Sequence, residues 1–323
     1  MDRITEIEIG TARVGILGDP HLGRAFVRGV SLEKRGLREK MVMDDFQARL
    51  AGSGVYDVFV CMGDLFDKWA VPFGIIWKAA FTYLTTARDN PDTTYVVIAG
   101  NHDISRDLEK KGALDLFELI VSSQENIYVV RHNDPVLRKD IDGNMVGFFP
   151  FHPSKPADEL VTFDLDIAFG HWDTIFGHDN MVPTEKLAMM GCKTAYTGHV
   201  HLPDSFKRDG VEVIQVGSMQ PYAHGEDNGE MYFTLHLNEL MGKDLRFRCV
   251  RVLLAPGEIL DQDVDCLQLT VKREGTSDEE TEEVSMGDFD LMALFAQAFN
   301  EAGVPDEVRQ KITDRFEEAR VAE

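Results

Sequence analysis

The sequence predicts a layered α/β domain over residues 1–240, followed by smaller C-terminal units. Two observations carry this reading. Short β-branched and aromatic runs alternate with segments whose apolar residues recur at helical spacing. Five of the strand-like runs also break off into a glycine followed by side chains of the metal-ligating type.

The first run, ARVGIL (12–17), reads as a buried strand and ends at Gly18. VYDVFVCM (55–62), TTYVVIA (93–99), NIYVVRH (126–132), MVGFFPF (145–151), LDIAF (165–169), CKTAYT (192–197), VEVIQV (211–216) and MYFTLHL (231–237) follow, each short and bounded by turn residues. Between them, REKMVMDDFQARL sets Met43, Phe46 and Leu50 on one helical face. VPFGIIWKAAFTYLTTARDNP has Pro72 near its start, where a missing N–H costs nothing, and stops at Asn90-Pro91. A third helix is expected over 107–121.

Composition narrows the class. A chain of 323 residues, 44% apolar, is long enough for one large core with appendages. The N-terminus has no charged region leading into an apolar one, and no run approaches the ~18 apolar residues of a membrane helix. A soluble, cytoplasmic protein is expected, in the host cytoplasm if the gene belongs to a phage. Cys61, Cys192, Cys249 and Cys266 lie far apart without a C-x-x-C pair, so they read as reduced core thiols rather than a disulfide framework or a zinc ribbon. The net charge of −23 excludes binding of nucleic acid by a broad basic surface. Residues 274–323 hold 15 acids and four bases, so the tail is a separate electrostatic unit.

The glycine-led loops are GDPH (18–21), GDLFD (63–67), GNHD (100–103), GH (170–171) and GHVH (198–201). In layered α/β domains functional groups gather at the carboxyl ends of strands, and glycine lets the backbone turn beside a crowded site. Five such loops therefore predict one shared metal site. A mixed Asp, Asn and His donor set suits manganese, iron or zinc, and the lack of cysteine donors argues against a purely structural zinc. A lone histidine at a strand end is ordinarily structural, and His132, His152, His178, His224 and His236 are left unassigned on that ground.

In this order the motifs D-x-H, G-D-x-x-D, G-N-H-D, G-H and G-H-x-H resemble the calcineurin-like metallophosphoesterases over residues 14–202. Within that superfamily DPHLG, GDLFD followed by Pro72, GHW and VGSMQPYAHGEDN are similar to the SbcD/Mre-eleven nucleases of DNA break repair, including those of T-even-like phages. The resemblance implies a four-layer αββα sandwich with a small α+β capping domain. It implies two divalent metal ions, manganese with magnesium as the alternative. Asp19, His21 and His201 would hold one, Asn101, His171 and His199 the other, and Asp64 would bridge them. His102 would act on the transition state or the leaving oxygen, and Asp67 would orient it. Asp67 follows the superfamily pattern, since many break-repair members carry histidine there; a plain turn-stabilising role is its alternative.

GRAFVRGVSLEKRGLREK (23–40) concentrates cations after the first motif, and Arg24, Arg28, Arg35 and Arg38 are candidates to face a DNA backbone; a solvated helix face is the plain alternative. LRFRCVRVLLAP and DCLQLTVKRE read as two strands of the capping domain, placed at 241–273. REGTSDEETEEVS is acidic and reads as a linker, covering 274–286. Beyond it Phe289, Met292, Ala296 and Phe299 form one apolar stripe, and Val308, Ile312 and Phe316 another past Gly303-Val304-Pro305, a helical hairpin over 287–323. Phe289, Met292, Phe295 and Phe299 are its expected anchors on an ABC ATPase partner of the SbcC/Rad-fifty type; DNA and a second copy of the chain are the other expected partners. The expected activity is metal-dependent nuclease action at DNA ends. A phosphoesterase for nucleotides or phosphoproteins and a non-catalytic scaffold recruiting the ATPase are the alternatives.

Overall fold

A computed structural model describes residues 3–105, 107–174, 180–226 and 230–273. Five strands form the first sheet in chain order: β1 (Glu6–Ile9), β2 (Ala12–Leu17), β3 (Val58–Cys61), β4 (Thr94–Ile98) and β5 (Ile127–Val130). β1 and β2 make an antiparallel hairpin, and every later neighbour is parallel. Parallel neighbours need long crossovers. These contain α1 (Leu37–Ala51), α2 (Phe73–Asp89) and α3 (Ala113–Val121).

Period-two alternation decides which side chain goes to which side of this sheet. Leu17, Phe59, Cys61, Tyr95 and Val97 share a core with Phe46 and Leu50 of α1, Ala79 and Tyr83 of α2, and Phe117 of α3. Val14, Ile16, Val58, Val60, Val96 and Ile98 point the other way, into a core shared with Val146, Phe148, Phe169 and Val216. Those partners belong to a second sheet or its edge.

The second sheet holds β6 (Leu137–Ile141), β7 (Asn144–Phe149), β8 (Ile167–Gly170), β9 (Thr194–Thr197), β10 (Asp204–Arg208) and β11 (Val211–Gln215), ordered β10-β11-β9-β8-β7-β6. Its centre is parallel, and both outermost pairs are antiparallel. Phe149, Ala168, Ala195 and Val213 occupy the face away from the first sheet, against Leu160 of α4 (Ala157–Leu160) and Leu187 of α5 (Thr184–Met189).

A third sheet, all parallel, consists of β12 (Tyr232–His236), β13 (Cys249–Leu254) and β14 (Gln268–Arg273), with its own core around Val250, Val252 and Leu254. The strand expected to close the large domain is β12, which pairs with β13 instead. The small unit therefore includes Tyr232 onward rather than starting at 241. It is tied to the 23–40 segment: Leu269 N donates to Gly29 O at 2.8 Å, and Gln268 Nε2 to Arg28 O at 2.7 Å.

Two further expectations are corrected. α3 begins at Ala113 rather than 107, because the Asp115 carboxylate accepts the Gly112 N–H at 2.8 Å and caps the helix there. β1, β6 and β10 were not anticipated. EIEI, LRKDI and DSFKR are edge strands carrying charge, the pattern that keeps a sheet edge from pairing with another chain. The acidic linker, the hairpin with Phe289, Met292, Phe295 and Phe299, and His178 lie outside the described residues. Among the described residues no helix is long and apolar enough to cross a membrane.

Phe148 is fully buried between the two large sheets, its ring stacked on Phe169 at 5.3 Å. Phe148→Ala should lower unfolding free energy by about 3–5 kcal/mol through lost burial and the cavity left behind, read from a urea titration with unchanged slope.

Candidate metal centre and active site

All five glycine-led loops lie at the carboxyl ends of parallel strands. Gly18 follows β2, Gly63 and Gly100 stand two residues past β3 and β4, Gly170 ends β8, and Gly198 follows β9. Because the sheets pack face to face, their ligand-type side chains meet. Asp19, His21 and His201 offer atoms within 4.8 Å of one another, as do Asp64, His171 and His199. Asn101 joins the second group, with Oδ1 3.0 Å from both His171 Nε2 and His199 Nδ1. The groups adjoin: Asp64 Oδ2 is 3.7 Å from His21 Nε2 and 3.6 Å from His171 Nε2.

The outer hydrogen bonds determine what points inward. His171 Nδ1 lies 3.0 Å from the Met62 carbonyl, which can only accept, so the ring proton sits on Nδ1. His171 Nε2 then aims a lone pair at Asn101 Oδ1, itself an acceptor. His201 repeats the arrangement, with Nδ1 3.1 Å from Glu226 Oε1 and Nε2 turned toward His21 Nε2 at 3.0 Å. His199 Nε2 is 3.6 Å from Asp173 Oδ2, and His21 Nδ1 is 3.5 Å from Asp67 Oδ1. Asp19 Oδ1 is buried with no hydrogen-bond partner. Lone pairs crowded on lone pairs repel, and a divalent cation between them reverses the sign. The donor set therefore fits metal ions, and carboxylate-backed histidines are the usual support for such ligands.

Backbone geometry is bent to serve this convergence. His21, Asp64 and His199 all have positive φ, 46°, 46° and 74°, conformations in which non-glycine residues are strained. The glycines leave room for ligands. A Cβ on Gly63 would fall 2.1 Å from His171 Nδ1, and one on Gly100 would fall 2.1 Å from Asp64 Oδ1.

Burial sets the protonation states. It raises the pKa of Asp19 well above the ordinary carboxylate range, with the Asp64 charge adding to it, and it raises that of Asp64 as well. It also pushes His171 down to about 3 and His199 down to about 4, and lowers His21 well below the usual value. His171, His199 and His21 are thus neutral, as ligands must be. Asp103 accepts N–H bonds from Leu65, Phe66 and Gly100, lacing the second and third loops together; burial and then Asp64 push its pKa up to about 8.

His102 stands exposed at the rim of the cluster. Its Nδ1 donates to the main-chain oxygen of Asp67 at 2.6 Å, and its N–H donates to Asp64 Oδ1 at 2.9 Å. Asp67 meets His102 through its main-chain carbonyl, while its carboxylate faces His21, lies 3.9 Å from Arg24 Nη1 and comes within 4.8 Å of a His102 ring nitrogen. Glu226 and Asp173 were missed in the sequence. Asp173, two residues beyond His171 in GHWD, was within reach of a careful reading. Glu226 had no spacing signal, because 25 residues separate it from His201.

The candidate DNA-facing arginines divide. Arg28 and Arg35 are exposed, and Arg24 is half-buried over the ring of Tyr222 at 5.4 Å. Arg38 is only 2% exposed; its guanidinium donates to Gln220 Oε1 and to the Pro221 carbonyl and lies 5.1 Å from the Phe26 ring centre, so it is spent inside the protein and cannot meet a phosphate backbone. Two of the unassigned histidines are engaged locally: His152 Nδ1 accepts from Ser154 N and Lys155 N, and the His224 ring packs on Tyr232.

Two mixed α/β sheets whose strand ends gather Asp, Asn and His donors define a metal-dependent hydrolase of phosphate esters. The chain belongs to the calcineurin-like phosphoesterase family, whose model matches residues 12–213. No curated protein matches it. Among solved structures it is similar to the phosphopantetheinyl hydrolase from Mycobacterium tuberculosis, at 12% identity and a TM-score of 0.39, over 65% of this chain and 93% of that one.

Gly63→Ala tests the crowding directly. The added methyl must displace His171, so bound divalent metal should fall by one ion or more per chain and phosphoester hydrolysis by at least about tenfold, a loss of the size expected for a misplaced catalytic group. Metal analysis by plasma emission gives the count.

Proposed function

We propose that this protein is a metal-dependent DNA nuclease acting at DNA ends, the nuclease subunit of an SbcCD-like recombination and repair complex. The observation that carries the hydrolytic reading is the inward convergence of imidazole, amide and carboxylate lone pairs beside an exposed, oriented His102. The break-repair branch is favoured by VGSMQPYAHGEDN, because Tyr222 and Glu226 of this stretch reach the site. Tyr222 packs edge-on against His21 at 5.4 Å and His201 at 5.8 Å, its hydroxyl donates to Pro20 O, and Glu226 holds His201. Separate cores on both faces of each large sheet support the four-layer αββα sandwich, and the third sheet supports a capping unit.

Asp19, His21 and His201 would hold one cation and Asn101, His171 and His199 the second, with Asp64 shared. Manganese fits this hard and imidazole donor mixture, and magnesium is the alternative. Bound together, two such ions activate a water molecule and neutralise charge on the phosphate. The protein's own part is positional. The Met62 carbonyl, Glu226 and Asp173 orient the imidazoles, and the Asp67 carbonyl leaves His102 Nε2 facing outward. A proton carried on Nε2 passes to the leaving oxygen as its bond to phosphorus breaks. Arg24, Arg28 and Arg35 would meet the DNA backbone. The 287–323 segment, with Phe289, Met292, Phe295 and Phe299, would engage an ABC ATPase of the SbcC/Rad-fifty type. Four buried cysteines, none of them in a disulfide, suit a reducing cytoplasm.

End-labelled duplex and single-stranded DNA, incubated with manganese or magnesium and with or without the ATPase, should be shortened from the ends. Hydrolysis confined to mononucleotides or phosphopeptides would overturn the DNA reading. His102→Ala should keep its full metal content and its DNA affinity while kcat falls about 10²- to 10⁴-fold. Loss of metal in that variant would make His102 a ligand instead.

A further inference from the structure

A cleft of about 720 Å³ opens beside His102, with the proposed ligand Asn101 also in its lining. Trp69, Phe151 and Pro153 line it, together with Lys68 and Lys110. Trp69 is 38% exposed, an unusual state for the largest aromatic side chain, and its backbone is fixed where Ala113 N donates to Trp69 O at 2.6 Å. A methyl group on Gly112 would fall 2.6 Å from that same oxygen, so the start of α3 presses directly on this turn. Phe151, also in the lining, is held by its N–H bond to Ala99 O at 2.9 Å. The volume lies within the 300–1,000 Å³ typical of ligand pockets.

From this geometry, and resting on the DNA reading above, we infer that the cleft is the subsite for the nucleoside on the leaving-group side of the scissile phosphate, its base stacked on Trp69. The position follows from His102. The histidine that protonates the leaving oxygen lines this cleft, so whatever remains attached to that oxygen extends into it. A flat aromatic wall selects a π-face regardless of base identity, and lysines near it suit the next phosphate. The subsite therefore binds a nucleoside without reading sequence.

The test uses the full chain and a short single-stranded oligonucleotide cut at one defined linkage, against the same oligonucleotide with an abasic residue on its leaving side. The wild-type protein should show kcat/KM lowered about 5- to 100-fold on the abasic substrate, the weight base stacking on an aromatic residue carries per base. Trp69→Ala should lose a similar factor on the intact substrate and no longer distinguish the two, while Trp69→Phe retains most of the discrimination. Equal cleavage of both substrates by the wild-type protein, or undiminished discrimination by Trp69→Ala, overturns the subsite and leaves the nuclease reading standing. Hydrolysis of bis(4-nitrophenyl) phosphate with no cleavage of any oligonucleotide overturns both together.

Discussion

The convergence of unshared electron pairs on one buried point is the constraint from which the rest of this structure follows. Asp19, Asp64, His21 and His171 are all nearly or wholly inaccessible, and their outer atoms are already bonded or faced by oxygen. Such a cluster is costly without a compensating cation. Folding nevertheless brings it together, because the hydrophobic contact between the two sheets is large and does not depend on the polar loops at its edge. Val14, Ile16, Val60 and Val96 meet Val146, Phe148 and Phe169 there, and the strand ends have nowhere else to go. The strain at His21, Asp64 and His199 is of the same origin: the packed layers over-determine the loops.

This arrangement explains why each motif is short and starts with glycine. A loop that must pass between a strand end and another loop's ligand has no room for a side chain, as the contacts at Gly63 and Gly100 show. The five motifs were therefore legible one at a time, since each donor follows its own strand in sequence. The strands were legible for a related reason: buried parallel strands read as continuous apolar runs. Edge strands such as LRKDI lack that run and escaped notice.

What could not be read were the relations that only tertiary packing creates. Met62 supplies a carbonyl to His171 from 109 residues away, and nothing in its side chain announces this. Glu226 reaches His201 through a loop, and Asp67 serves His102 by its main chain while its carboxylate serves His21. Arg38 misled for the converse reason. Its neighbours in sequence are exposed cations, yet helical periodicity turns this one residue inward to Gln220 and Pro221. The boundary of the small sheet was misplaced because MYFTLHL has the same apolar character whichever sheet receives it.

The centre proposed above would hold two ions, with Asp64 shared between them. Calorimetric titration of manganese into metal-free protein measures it most directly, with Asp64→Asn alongside. Two ions should bind per wild-type chain, and at most one in the variant, since removing the shared charge weakens both positions at once. Binding of a single ion by the wild-type chain, or of two ions with unaltered affinity by Asp64→Asn, would contradict a shared two-ion centre.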